Sequence, residues 1–307
     1  MMACTYAPAL DRLPEAHGSV VLLIEPRMRD LGSFSVRRVL PAAAQPMVGP
    51  FIFFDHLGPY NLWIGQEVNI RPHPHIGLTA VTYLFEGDLV HRDSLGNVQR
   101  IHAGGINVMT AGRGIVHSER TEAWGFPHIR TFHGIQAWLA LPEGMEDTLP
   151  SFAHYPAAEV PCHERSGVRV RVLIGEIFGV SSPVKTHARA TYLDVELQAQ
   201  TLLTLDVMAK ELAVYVVRGR VHCGNFPISQ GTMALLDDSA GLSTLRASEP
   251  SRVIVIGGDP VGERHIWWNF VSSSALRIDQ AKKDWKNDCF LAMPTDCEFI
   301  PLPAPRP

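Results

Sequence analysis

The chain has 307 residues, of which 46% are hydrophobic and 19% charged, and a formal net charge of -4. These values describe a globular protein with a sizeable core and room for two domains. With no basic block and no 18-residue apolar run in the sequence, neither a nucleic-acid surface nor a membrane span is expected.

Met1 to Gly18 lacks the basic-then-apolar pattern of a secretory signal. The five cysteines (Cys4, Cys162, Cys223, Cys289, Cys297) are scattered, and none forms a CxxC pair. Together these point to a reducing, cytoplasmic setting. Val20 to Ile24 and Phe34 to Leu40 read as short strands. Phe51 to Phe54 reads as a buried strand that ends at Asp55-His56 and turns at Gly58-Pro59. From Val68 to Ala140 the β signal is dense, with strands predicted over 79–85, 89–92, 98–102, 106–111, 115–117 and 129–141. Pro142 to Pro161 is rich in proline and acidic residues, so the domain boundary is placed there, giving 1–148 and 149–307. Strands then resume over 168–174, 191–197, 201–207, 212–223, 232–236 and 252–256. Ser272 to Ser274 offers an N-cap for an amphipathic helix carrying Leu276, Ile278, Ala281 and Trp285 and reaching Asn287. The whole is an all-β barrel or sandwich with a short C-terminal helix.

Two clusters stand out. Arg71-Pro-His73-Pro-His75 and His117-Ser-Glu119 each place two ligand-type side chains at i and i+2. In an extended segment alternate side chains share a face, so each cluster can aim both groups at one point. Three imidazoles and one carboxylate suit a first-row divalent metal, and the lack of a nearby thiolate argues against a closed structural zinc site. Such a shell leaves coordination positions for substrate or dioxygen. His56, His91, His102, His128 and His133 also fall in this half; taken singly each reads as an ordinary histidine, with His133 singled out for its mid-strand place. Asp55 is a candidate pocket residue or a turn former, Arg113 a candidate substrate-orienting residue in a tight turn, and Phe53 a candidate pocket wall or core residue. A weak internal repeat relates Leu78–His91 to Leu212–His222: both carry Tyr four residues before Gly and His soon after. The second copy has no HxH and no HxE, so metal binding is expected in the first half alone.

The runs Gly49-Pro-Phe-Ile-Phe-Phe-Asp55-His, His73-Pro-His75-Ile-Gly-Leu-Thr-Ala-Val-Thr-Tyr-Leu-Phe-Glu-Gly87, Met109-Thr-Ala-Gly-Arg-Gly-Ile-Val-His117-Ser-Glu119 and His133-Gly-Ile-Gln-Ala-Trp-Leu-Ala-Leu-Pro142 resemble the pirin family of the cupin superfamily. The later runs Ser181-Ser-Pro-Val184, Gly257-Gly-Asp-Pro-Val-Gly262 and His265-Ile-Trp-Trp-Asn-Phe-Val-Ser-Ser-Ser274 are similar to its bacterial members. The resemblance implies two cupin (jelly-roll) barrels facing each other, with one metal in the first. It implies iron(II) above all, with manganese, cobalt, nickel, copper or zinc as other ions such a shell accepts. It assigns the ligands to His73, His75, His117 and Glu119. Positions Thr79 and Ala80, where many other cupins carry a glutamate ligand, have no carboxylate, which leaves Glu119 as the only acidic ligand. Among the differing activities it implies is a quercetin 2,3-dioxygenase-type ring opening of flavonols, with a phenolic substrate and dioxygen; read from the residues themselves, Glu119 is the candidate base and Asp55, Phe53 and His133 are candidate substrate-binding residues. The rivals are a non-enzymatic, iron-dependent regulator that docks on a transcription factor or metabolic enzyme, and a metal-dependent isomerase.

Overall fold

The computed structural model describes residues 18–63, 65–122, 130–237, 243–294 and 296–304. Within them strands dominate, and the one α-helix is Ala275–Lys286. A seven-stranded sheet runs in the order Ser151–Tyr155, Ile106–Thr110, Leu78–Glu86, Arg130–Ala140, Phe51–Leu62, Ser35–Leu40, Arg27–Asp30. A four-stranded sheet of Asn69–His75, Ile115–Arg120, Asp88–Asp93 and Val98–His102 closes the first barrel. The second barrel repeats the pattern strand for strand. Its large sheet runs Ser19–Ile24, Met233–Asp237, Glu211–Arg218, Ser251–Gly258, Ala190–Leu197, Val168–Ile174, Cys162–Arg165. Its small sheet is Leu202–Leu205, Ser243–Ala247, Arg220–Cys223 and Phe226–Ser229. The internal repeat therefore corresponds to two jelly-roll barrels of one topology.

The edge strands are exchanged. Ser19–Ile24 pairs with Met233–Asp237 in the second barrel, and Ser151–Tyr155 pairs with Ile106–Thr110 in the first. Across the expected division at 148 and 149, each side thus lends the other a strand. Ser151–Tyr155 lies inside the stretch expected to be a linker, because proline and acidic residues around it hide a five-residue strand.

Alternation along each strand decides what faces what. On Leu78–Glu86, Val81, Tyr83 and Phe85 join a core shared with Tyr192, Tyr215, Ile254 and Ile256 of the second barrel. Leu78 and Ala80 face the first lumen beside Ile52, Phe53, Met109 and Trp138. The two large sheets therefore pack face to face, and their shared layer is apolar except for a few tied groups. Tyr83 Oη donates to Asp194 Oδ2 at 2.6 Å, and Arg252 grips the same carboxylate at 2.8 and 2.5 Å. Tyr83→Phe removes a buried hydrogen bond to a charged acceptor. It is expected to lower stability by about 2 kcal/mol, read as a lower urea midpoint. An unchanged midpoint would mean that Arg252 alone satisfies Asp194.

Two local expectations are corrected. The turn at Gly58-Pro59 lies within one long strand, Phe51–Leu62. The run 212–223 is split at Gly219, whose φ of +82° suits glycine and whose position leaves no room for a Cβ, 2.7 Å from Pro250 O. At the C-terminal end Ser274 is the N-cap but makes no capping bond with its side chain. Ser272 and Ser273 instead donate to the buried Glu146 carboxylate. The segment around the helix packs on the metal-type barrel through Ile76, Phe270, Ile278 and Ala281.

Candidate metal centre

The first cluster lies on Asn69–His75 and the second on Ile115–Arg120, adjacent and antiparallel, with His73 opposite His117. The register shifts between His117 and Glu119. Such an irregularity re-aims side chains locally. The ring centres of His73, His75 and His117 lie 4.4 to 5.0 Å apart. His75 Nε2 and His117 Nε2 are 3.1 Å apart. All four expected ligands are buried, and one candidate ligand atom from each histidine lies within 4.8 Å of the others.

Burial sets the charge states. It pulls the His73 imidazole down to about 4 and those of His75 and His117 well below their usual value, so each is neutral at pH 7. The backbone sets two tautomers. His73 Nδ1 faces Arg71 O at 2.8 Å and His75 Nδ1 faces Asn269 O at 3.1 Å. A carbonyl can only accept, so Nδ1 carries the proton in both and Nε2 keeps its lone pair. His75 thus presents its Nε2 lone pair to His117 Nε2, 3.1 Å away.

The buried Glu119 groups with His117 and His91 and not with His73 and His75. Burial pushes its carboxyl up, opposed by the neighbouring His91 and a hydrogen bond from Thr82. Thr82 Oγ1 lies 2.8 Å from Glu119 Oε1 and 2.8 Å from the Gln136 side-chain oxygen. One hydroxyl proton serves one acceptor, and the carboxylate is the stronger. Gln136 with its amide reversed donates to the same hydroxyl. A buried carboxylate among neutral imidazoles asks for a positive charge, and a divalent ion supplies it. The residues present therefore fit one divalent metal ion.

The other expected residues divide. Phe53 stacks on Trp138 (3.8 Å, 11°), and Trp138 meets the His75 ring edge-on at 5.0 Å, so Phe53 backs the wall beside the centre. Asp55 is buried in a bidentate pair with Arg38, both bonds 2.8 Å, within a strand and not at a turn. Its carboxylate is committed to that pair. His133 turns away from the centre: its Nε2 lies 2.7 Å from His56 Nε2, and His56 Nδ1 lies 2.7 Å from Tyr215 Oη of the second barrel. His133 shares its strand face with Ile135, Ala137 and Leu139, which lie in the inter-barrel core, so strand alternation carries this side chain into that layer. Arg113 is exposed. His128 lies outside the described residues.

Reading histidines singly passed over His91. Its ring lies 5.2 Å from His117, and it groups with His117 and Glu119 as a second possible set of ligand atoms. His91-Arg-Asp93 has the same i,i+2 spacing as His117-Ser-Glu119 on the neighbouring strand, and that spacing was the available signal. Thr82, Gln136 and Trp138 lie within the runs that carry the family resemblance but were not singled out, and Asn107 lies outside those runs. Asn107 Nδ2 and Trp138 Nε1 are buried donors without a protein acceptor.

The equivalent strands of the second barrel carry Leu203, Leu205, Leu245 and Ala247 in an aliphatic core. That barrel is filled by packing where the first holds donors.

Two facing jelly-roll barrels with one histidine–carboxylate cluster define a bicupin. Residues 33–139 match the family model Pirin, and residues 192–291 match the Pirin C-terminal cupin domain. The chain belongs to the pirin family. It is 44% identical over 286 residues to a "Pirin-like protein" of Caulobacter vibrioides, covering 92% of this chain and 99% of that one. It is 35% identical over 277 residues to a Pseudomonas aeruginosa protein named "Putative quercetin 2,3-dioxygenase", covering 89% of this chain and 86% of that one. The crystal structure of quercetin 2,3-dioxygenase from Acinetobacter baumannii superposes with a TM-score of 0.86 at 29% identity, covering 94% of this chain and 96% of that one.

Proposed function

We propose that this protein is a metal-dependent dioxygenase that opens the ring of a flavonol or a related enolic phenol. The observation that carries the reading is the buried cluster of His73, His75 and His117 in one barrel, with their candidate ligand atoms within 4.8 Å of one another and the buried Glu119 grouped with His117 beside them. The names of the Pseudomonas and Acinetobacter relatives support the reaction class. The four residues would hold one ion, iron(II) before other first-row divalent metals.

Bound there, the ion would supply an electrophilic centre that acidifies a substrate hydroxyl and accepts dioxygen beside it. The chain's own residues would do the rest. Glu119 takes the enolic proton onto a carboxylate oxygen, and Thr82 orients that carboxylate. Trp138 and Phe53 form an aromatic wall that excludes water and takes a flat ring by stacking. Asn107 Nδ2 and Trp138 Nε1 offer donors to a substrate carbonyl.

Protein reconstituted with iron(II) under anaerobic conditions and then exposed to air with quercetin is expected to consume one dioxygen per flavonol opened. Oxygen-electrode traces and product mass check this. A metal-loaded protein with no oxygen uptake across a panel of flavonols would overturn the dioxygenase reading, and a product of unchanged mass would mark an isomerase.

A further inference from the structure

The His91-Arg-Asp93 strand runs antiparallel to the His117-Ser-Glu119 strand, with His91 opposite Glu119 and Asp93 opposite His117. His91 Nε2 lies 3.0 Å from Asp93 Oδ2. Asp93 is itself fixed: its oxygens accept from Leu95 N and from the backbone and side-chain amides of Asn97. The His91 ring is clamped flat against Phe152 at 4.2 Å and 14°. A carboxylate can only accept, so Nε2 of His91 carries a proton, and in the neutral ring Nδ1 is then an acceptor. That Nδ1 faces His117 Nδ1 at 3.4 Å, the long end of hydrogen-bonding distance. His117 Nδ1 must therefore donate, which leaves its Nε2 lone pair toward His75 Nε2, 3.1 Å away.

We infer that Asp93 and His91 form a hydrogen-bonded relay that holds His117 as its Nδ1–H tautomer and aims its Nε2 at the metal. His91 is thus a positioning residue and not a fifth ligand. The inference rests on the proposed metal centre, and it gives His117 what backbone carbonyls give His73 and His75. Its rival is the alternative grouping of His91, His117 and Glu119 as direct ligands.

Cadmium-113 loaded into protein labelled with nitrogen-15 separates the cases. Scalar couplings to the metal are expected from Nε2 of His73, His75 and His117, with none from His91, and long-range proton correlations should show Nδ1–H on His117. A coupling at His91, or a proton on His117 Nε2, would overturn the relay. No coupling at any histidine would instead fail the metal-centre reading itself. In the same protein, His91→Phe keeps an aromatic ring against Phe152 but breaks the relay. Zinc affinity, measured by competition with a chromophoric chelator, is expected to fall roughly 10–100-fold at unchanged one-to-one stoichiometry. His91→Gln carries both an acceptor and a donor and is expected to recover most of that loss. Wild-type-like zinc affinity in His91→Phe would also sink the relay. Should that variant fail to fold, the couplings in the unmutated protein still decide.

Discussion

Glu119→Ala protein is expected to fold normally, bind its metal more weakly and lose roughly 10²–10⁴-fold in flavonol turnover. The direction of each effect follows from one side chain in two roles. In metal-free protein Glu119 is a carboxyl whose ionised form burial penalises, so removing it costs the fold little and relieves that penalty. With metal bound as proposed, the same carboxylate would be the one acidic donor beside three neutral imidazoles, and its loss would leave the ion's charge less compensated. The rise in melting temperature on adding iron(II) should therefore shrink in the variant while the metal-free melting temperature stays level or climbs. Turnover falls further than affinity, because the base that takes the enolic proton has gone as well. Paired melting curves, metal titrations and oxygen uptake check the three effects. Undiminished turnover in Glu119→Ala would remove Glu119 from the chemistry.

Acidification is expected to destabilise the protein through the interface between the barrels. Burial, with help from Arg37, pulls the His56 imidazole down to about 2. Burial, with Arg252 and Arg37, pulls His133 down to about 4. Both are neutral in the fold, and the unfolded chain takes up their protons near pH 6.5. Because the folded values lie below the unfolded one, stability is complete above pH 6.5 and falls as the pH drops below it. His56 alone contributes a loss of about 1.4 kcal/mol per pH unit, or about 3 kcal/mol by pH 4.5. His133 adds a loss of the same sign over the narrower window from 6.5 to about 4. The histidines of the metal cluster shift in the same direction, so the measurement is a difference. Urea midpoints of metal-free wild-type and His56→Gln protein at pH 7.5 and 4.5 should diverge, with the variant losing less. Parallel losses in the two proteins would place the acid sensitivity elsewhere.

The cluster at the centre was legible because its chemistry is local. His73 with His75, and His117 with Glu119, use the two-residue period of a strand, and that period survives without knowledge of any partner strand. The duplicated barrel was legible for a related reason, since Gly87 and Gly219 end equivalent strands with a positive φ that favours glycine. What failed was what depends on neighbours. His133 follows the alternation and shares a face with Ile135 and Ala137, but only the packing of the two large sheets shows that this face meets the second barrel and not the lumen. Asp55 looked like a turn former because Gly58-Pro59 follows, yet Arg38 on the next strand holds it in an ion pair. His91 lay within reach of the same two-residue rule, since Asp93 completes its pair. Ser151–Tyr155 is recognisable as a strand only beside Ile106–Thr110.

The exchanged edge strands bear on the order in which the protein can be finished during synthesis. Ser19–Ile24 leaves the ribosome early, yet its partner Met233–Asp237 is made after most of the chain. The first barrel receives its last strand, Ser151–Tyr155, well before that, but its cap around Phe270 and Ile278 comes later still. His75 takes its orienting carbonyl from Asn269 in that cap. A nascent chain can thus close the first barrel's sheets while one of its metal-facing imidazoles is still unset, and the seam of the second barrel is still open. The His75 imidazole is thus set by a carbonyl 194 residues further along the chain, outside the sheets that carry the donors.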